Sequence, residues 1–252
     1  MKTSAPHSAR LSLGLGKERA DRPRLVNVHI GKSAGTWLRT NIQSHYLPEE
    51  ICDFRFEHQF ETESPEKYMG KRFFSAHVGH ETASKIGGEL ITMLRNPFDR
   101  MLSLYYYWQE VEGAPKIARG ITLKEFFTHK SPAMSQDIEN AQAWQIAHGN
   151  TLPYRRKYSS ISKDELLAKA IENLSTYAVV GVYEDLGRFC IDLNNKFGFS
   201  LKPDASRVNV TSNRPRSELV TIEVRNLIYN RNDVDVALYE HVANNLAKAP
   251  AG

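Results

Sequence analysis

The chain has 252 residues, a formal net charge of +4 at pH 7 and two cysteines, Cys52 and Cys190. That length suits one α/β domain able to bury a core unaided, and two cysteines without metal-ligand spacing exclude a disulfide framework and a cysteine-built metal site. No run approaches the ~18 apolar residues of a membrane span, and the mild, scattered basic charge fits an anionic small ligand, an acidic acceptor or a plain solvated surface better than a nucleic-acid face.

Residues 1–22 mix Ser, Arg, Lys, Gly and Pro without apolar periodicity or a signal-peptide run. They predict a loose, flexible leader ahead of a single domain over 23–252, in a soluble, cytoplasmic protein. Leu25 to Ile30 reads as a short buried strand, Gly31 to Gly35 as a tight turn of small residues, and Thr36 onward as a helix closed by Pro48. Trp37, Leu38, Ile42 and Tyr46 recur on that helix at core spacing. A strand turning sharply into a helix makes an anion site, because the first helical turn leaves N–H groups unpaired and the macrodipole adds positive charge. Lys32 adds a full charge, and Ser33 and Thr36 add hydroxyls, so the turn predicts a phosphate or sulfate site, with an ordinary βα turn as the alternative. It is a poor ATPase loop, since the Walker pattern needs a glycine where Val26 stands.

Residues 52–70 predict an irregular polar excursion. Lys71 to Val78 then reads as a strand with Phe73 and Phe74 as buried bulk, bringing His77 to the carboxyl end, where open parallel sheets hold their ligands. A hydrogen-bonded structural histidine is the alternative, and His80 is a second candidate. Glu89 to Leu94 is the next strand. Asn96 is a helix cap and Pro97 a favoured first position, so PFDRMLSLYYYWQE is a helix. On it, Arg100 suggests a surface or structural ion pair, and Tyr105, Tyr106, Tyr107 and Trp108 suggest core with one edge toward an acceptor groove. The Gly- and Pro-punctuated stretch around TLKEFFTH predicts a lid or acceptor wall. A helix is expected from Asp137 to His148, and another after the Ser162–Glu165 capping box. Tyr177 to Val182 is an apolar strand, and Cys190 lies in the apolar pattern of the helix that follows. A polar loop over 202–216 and two final helical patterns close the chain. Alternating strands and helices predict an α/β fold with a central parallel sheet.

Two segments carry a family likeness. His29-Ile30-Gly31-Lys32-Ser33-Ala34-Gly35-Thr36-Trp37-Leu38 resembles the 5′-phosphosulfate loop of sulfotransferases that use 3′-phosphoadenosine 5′-phosphosulfate (PAPS), in particular the carbohydrate-type family 2 pattern close to HIPKTGGTSL. LRNPFDRMLSLYYYW resembles the 3′-phosphate segment of the same family, with Asn96 in place of the commoner His. Three weaker segments follow in family order, so the likeness spans roughly residues 24 to 245.

The resemblance implies a single P-loop-like domain that takes PAPS as donor, releases 3′,5′-adenosine bisphosphate (PAP) and needs no metal. It implies that Gly31, Lys32, Ser33, Ala34, Gly35, Thr36 and Trp37 cradle the phosphosulfate, with Lys32 also catalytic. Arg95 and Ser103 would hold the 3′-phosphate and so distinguish PAPS from ATP, a fork-shaped guanidinium and a hydroxyl being apt for that task. His77, in Ala76-His77, stands where the family's GH-type dipeptide carries the catalytic base. Asn140, Gln142 and Gln145 match an amide-rich segment expected to contact acceptor or cofactor, with His80 beside them, although helix-surface amides are commonly just solvated. Arg207, Thr211 and Arg214 match a loop that folds over the nucleotide. The implied partner is a hydroxyl acceptor, a saccharide or glycoconjugate, with a lipid or small metabolite as alternatives. Animal members carry an N-terminal membrane anchor, so a soluble bacterial-type member or a trimmed chain is implied. The competing readings are a P-loop nucleotide kinase or phosphotransferase and a non-catalytic nucleotide-binding module.

Overall fold

The computed structural model describes residues 22–203 and 220–248. The predicted leader up to residue 21 and the loop residues Arg207, Thr211 and Arg214 lie outside the described residues. Four strands, β1 (Leu25–Val28), β2 (Phe73–Ala76), β3 (Glu89–Leu94) and β4 (Val179–Val182), form one parallel sheet in the order β2-β1-β3-β4. Val28 lies opposite both Ala76 and Thr92, so the three strands end nearly level. β1, β2 and β4 are shorter than expected. At the end of β2 the His77 N–H, on the outer edge of the sheet, donates to Arg55 O at 2.7 Å.

The helices that matter for the site are α1 (Gly35–Gln43), α2 (His80–Ile86), α3 (Pro97–Glu110), α4 (Ala141–Ala147), α5 (Lys163–Leu174), α6 (Leu186–Phe197), α7 (Ile222–Arg231) and α8 (Asp233–Lys248). Both faces of the sheet are covered, which is why its strands read as continuous apolar runs rather than alternating ones. Leu25, Ile91 and Met93 pack with Trp37, Leu38 and Ile42 of α1 and Phe189 and Leu193 of α6 on one face. Val26, Val28, Phe74 and Leu90 pack with α2, α4, α5 and α8 on the other. Fully burying such a side chain is worth about 1.5–3 kcal/mol. A third cluster lies around α3, where Phe98, Met101 and Trp108 meet Phe126, Phe127, Met134 and Ile228. Cys190 is buried in α6, as its pattern predicts, and both cysteines are free.

The expected helix over 137–148 is in fact two, Pro132–Ile138 and α4, broken at Glu139–Asn140. Asn140 takes the left-handed conformation at φ +46°, which asparagine tolerates better than most residues. Its Oδ1 accepts from Val234 N at 3.0 Å and Asp235 N at 3.1 Å, and so caps the start of α8. The irregular excursion after Cys52 contains two short helices, Glu57–Thr62 and Glu66–Met69. Among the described residues no helix is long and apolar enough to cross a membrane.

Because β2 and β3 flank β1 on opposite sides, the chain reverses its winding direction at β1. In such sheets ligands bind outside the carboxyl ends of the strands at this switch point. The turns leaving β1 and β3 therefore stand side by side, and they are the two segments singled out in the sequence.

Candidate active site

The turn after β1 holds two non-glycine residues in the left-handed region, Lys32 at φ +69° and Ala34 at φ +56°. Each costs about 1–2 kcal/mol for an L-residue, and such a conformation persists only where surroundings enforce it. Here they do so through the carbonyls. Arg100 Nε–H donates to Gly31 O at 3.0 Å, and Arg95 Nη1–H donates to Lys32 O at 2.9 Å. With the carbonyls drawn outward to cations, the alternating conformation is that of a concave backbone nest, a shape that favours anions. Ser33 is 1% exposed and its hydroxyl has no protein partner. No side chain caps α1, which begins at Gly35, so its first-turn N–H groups lack intrahelical acceptors. Thr36 is exposed on that turn. Gly35 cannot be replaced without strain, because a Cβ there would overlap the imidazole of His29.

The turn after β3 supplies the second half. Asn96 caps α3, its Oδ1 accepting from Phe98 N at 3.1 Å and Asp99 N at 3.3 Å, which gives the departure from the family's usual His a structural reason. The Arg95 guanidinium lies over the Tyr183 ring at 4.2 Å. Arg100, Ser103 and Tyr107 recur at i, i+3 and i+7 on α3 and so share one stripe. Arg100 meets Gly31 at one end of the stripe, and at the other the Lys32 ammonium sits 3.8 Å from the Tyr107 ring centroid. Ser103, buried, lies between them. Burial, then the charges of Arg95 and Arg100, push the Lys32 amine down to about 8, against an opposing pull from Glu110. Arg100 itself is buried, also donating to Asp137 O at 3.3 Å; the surface alternative for it is excluded.

His77 leaves β2 and stacks on His29 with ring centroids 4.1 Å apart, and the Phe56 ring lies near-parallel to it at 5.8 Å. Burial holds the His77 imidazole below its ordinary range, a hydrogen bond with the His29 backbone opposing and Arg100 reinforcing. Burial, then His77, Arg39 and Lys32, hold His29 well below it too. Both rings are therefore neutral at pH 7. The buried Glu57 carboxylate accepts from Gly79 N at 2.8 Å and fixes the turn that follows His77.

Several expected ligands have other employment. Gln142 accepts from Arg95 N and donates to Arg95 O, both at 2.9 Å, and Gln145 Nε2 donates to His29 O at 3.0 Å and Val78 O at 2.9 Å. Asn140 spends its side chain on α8 and on Asp233. These amides were expected to touch acceptor or cofactor, and the geometry makes Asn140 and Gln142 scaffold residues that hold the site. His80 stands apart, bonded to Ser84 at 3.2 Å and stacked on Tyr177 at 5.7 Å. Trp37 is 4% exposed, its indole in the core, so only its backbone N–H is left to face the turn. Tyr183 and Phe56 escaped the sequence reading, neither lying in a motif with a chemical signature. Tyr107 was legible only as a member of an aromatic cluster, although it falls one turn after Ser103. No cluster of three or more His, Cys, Asp or Glu able to hold a metal is found among the described residues.

A concave turn opening onto a helix N-terminus, with a second cationic turn fastened to it, suits an anionic ligand. A family model for the sulfotransferase family matches residues 19–241. The chain belongs to the sulfotransferase family, enzymes that draw their sulfuryl group from PAPS. No curated protein sequence matches it. Among solved structures it is similar to the crystal structure of mouse sulfotransferase SULT7A1 complexed with PAP, at 14% identity and a TM-score of 0.48, over 90% of this chain and 93% of that one.

Proposed function

We propose that this enzyme transfers a sulfuryl group from PAPS to a hydroxyl of a saccharide or glycoconjugate, releasing PAP, with the donor held by the turns after β1 and β3. The single observation that carries the reading is the joining of those turns, Arg95 Nη1 to Lys32 O at 2.9 Å, around a buried Ser33 hydroxyl that no protein group satisfies. A buried hydroxyl without a partner is costly, and a phosphosulfate oxygen is the acceptor it lacks. The donor, when bound, supplies an activated sulfuryl group on a phosphate leaving group.

The chain's own residues then divide the work. The N–H groups of Gly35, Thr36 and Trp37, with Ser33 and Thr36 hydroxyls, bind the phosphosulfate end from the turn that Gly31 and Ala34 shape. Lys32 sets a positive charge against the charge that grows on the departing phosphate. Arg95 and Ser103 bind the 3′-phosphate, and Arg207, Thr211 and Arg214 cover the nucleotide. His77, neutral at pH 7, takes the proton of the acceptor hydroxyl, a task typically worth on the order of 10²–10⁴-fold. The saccharide acceptor rests on the likeness of the first loop to carbohydrate-type members. The single domain over 23–252 rests on one sheet covered on both faces.

The test is incubation with radiolabelled PAPS and a panel of oligosaccharide, lipid and phenolic acceptors, with ATP and Mg²⁺ in a parallel assay. Label on a saccharide, lost in His77→Ala while PAP still binds, supports the proposal; label only on lipid or phenolic acceptors, or turnover with ATP and Mg²⁺ instead, contradicts it.

A further inference from the structure

We infer that Tyr107 is a positioning residue for Lys32, its ring face seating the lysine ammonium at the mouth of the donor loop. The inference rests on the reading of Lys32 as a donor-binding group, and its geometry is independent of the acceptor. The Lys32 Nζ lies 3.8 Å from the ring centroid, well inside the ~6 Å reach of a cation–π contact. Tyr107 stands on the same α3 stripe as Arg100 and Ser103, so the helix that pins Gly31 O also sets where this ring points. The ring is 41% exposed, more than core packing of an aromatic residue would leave, and its face is turned to the ammonium.

The charges around Lys32 explain why such a seat is needed. Arg95 from the end of β3 and Arg100 from α3 both oppose a third cation, and burial adds to them; Glu110, at the end of α3, is the group that pulls the other way. His29, at the end of β1, is neutral at pH 7 and contributes no compensating charge. The quadrupole of an aromatic face favours the charged form of an amine placed over it. Tyr107 therefore keeps Lys32 protonated and held in place between donor-binding events, despite two neighbouring guanidinium groups. The phenolic hydroxyl has no part in this, so phenylalanine should serve equally.

The experiment is an NMR titration of lysine ε-carbons in ¹³C-lysine-labelled protein, the Lys32 signal being identified by its loss in Lys32→Met. Wild type should titrate near the value of about 8 that its surroundings give it. Tyr107→Leu should lower the midpoint by about 0.4–1.5 pH units, the equivalent of a cation–π contact, and Tyr107→Phe should leave it at the wild-type value. Calorimetry with PAP gives the second readout, since affinity should fall above about pH 8 in wild type and at lower pH in Tyr107→Leu. An unchanged midpoint in Tyr107→Leu overturns the proposal, as does Tyr107→Phe behaving like the leucine variant. If PAP fails to bind wild type, the donor reading falls, and the NMR midpoints still decide whether Tyr107 seats Lys32.

Discussion

The guanidinium of Arg95 is bonded to the backbone carbonyl of Lys32 at 2.9 Å, so the turn after β3 is fastened to the turn after β1. The linkage extends back to the C-terminal helix. The buried Asp235 carboxylate of α8 accepts from Ala143 N at 2.7 Å and Gln142 N at 3.1 Å, and Gln142 in turn clamps both backbone groups of Arg95. A strained nest is thus held from outside by a chain of hydrogen bonds through four elements.

Breaking that chain at Gln142 should loosen the site without touching a ligand. Gln142→Leu removes the side-chain partner of both the Arg95 N–H and C=O, and two such hydrogen bonds together contribute about 1–3 kcal/mol. Chemical denaturation should show a loss of that order, and calorimetry should show PAP binding weakened at the same time.

Gly35→Ala tests the crowding between the donor loop and His29. The added methyl overlaps the His29 ring, so either that ring or the start of α1 must move, and His77, stacked on it, loses its support. PAP affinity should drop at least tenfold, while thermal unfolding moves by only a few degrees because α1 retains its core face; a variant with wild-type affinity would show that the nest tolerates displacement.

The two histidines make acid sensitivity a specific expectation. Both are held below the ordinary histidine range in the folded state, chiefly by burial. The unfolded chain therefore binds more protons as pH falls through about 6.5, and their contribution to stability is lost on acidification below that value. His29→Phe, which keeps the stack and removes one titrating group, should show a smaller loss of stability between pH 7 and pH 5 than wild type. For the same reason the acid limb of turnover should lie below pH 6.5, and His77→Ala should abolish it together with turnover.

Asn140→Ala removes a cap from α8 and an asparagine from a left-handed position. Loss of such a cap costs about 0.5–2 kcal/mol, and the substitution should lower the denaturation midpoint by a corresponding amount. Asn140→Gly, which relieves the backbone strain but not the lost cap, should recover part of it.

Much of this was legible in the sequence because local chemistry decided it. The β3–α3 junction followed from Asn96-Pro97 and the first turn from its small residues, and Arg95, Lys32 and Ser33 were drawn together by motif. What escaped depended on distant partners. The amides of Asn140, Gln142 and Gln145 are indistinguishable in sequence from solvated or ligand-binding ones, and only the fold shows that backbone groups just past β1, β2 and β3 and at the start of α8 engage them. The break at Asn140 has no proline or glycine to announce it, since the asparagine is held left-handed by α8, some 90 residues away. Phe56 and Tyr183 come from elements whose local pattern says nothing about the sheet end they reach.

The central claim, that the joined turns after β1 and β3 bind a nucleotide carrying both a 5′- and a 3′-phosphate, is tested most directly by calorimetric titration with PAP, with 5′-AMP and ATP in parallel. The account predicts selective binding of PAP, with the preference over 5′-AMP abolished by Arg95→Ala. Equal affinity for the three nucleotides, or PAP binding indifferent to Arg95→Ala, would contradict it.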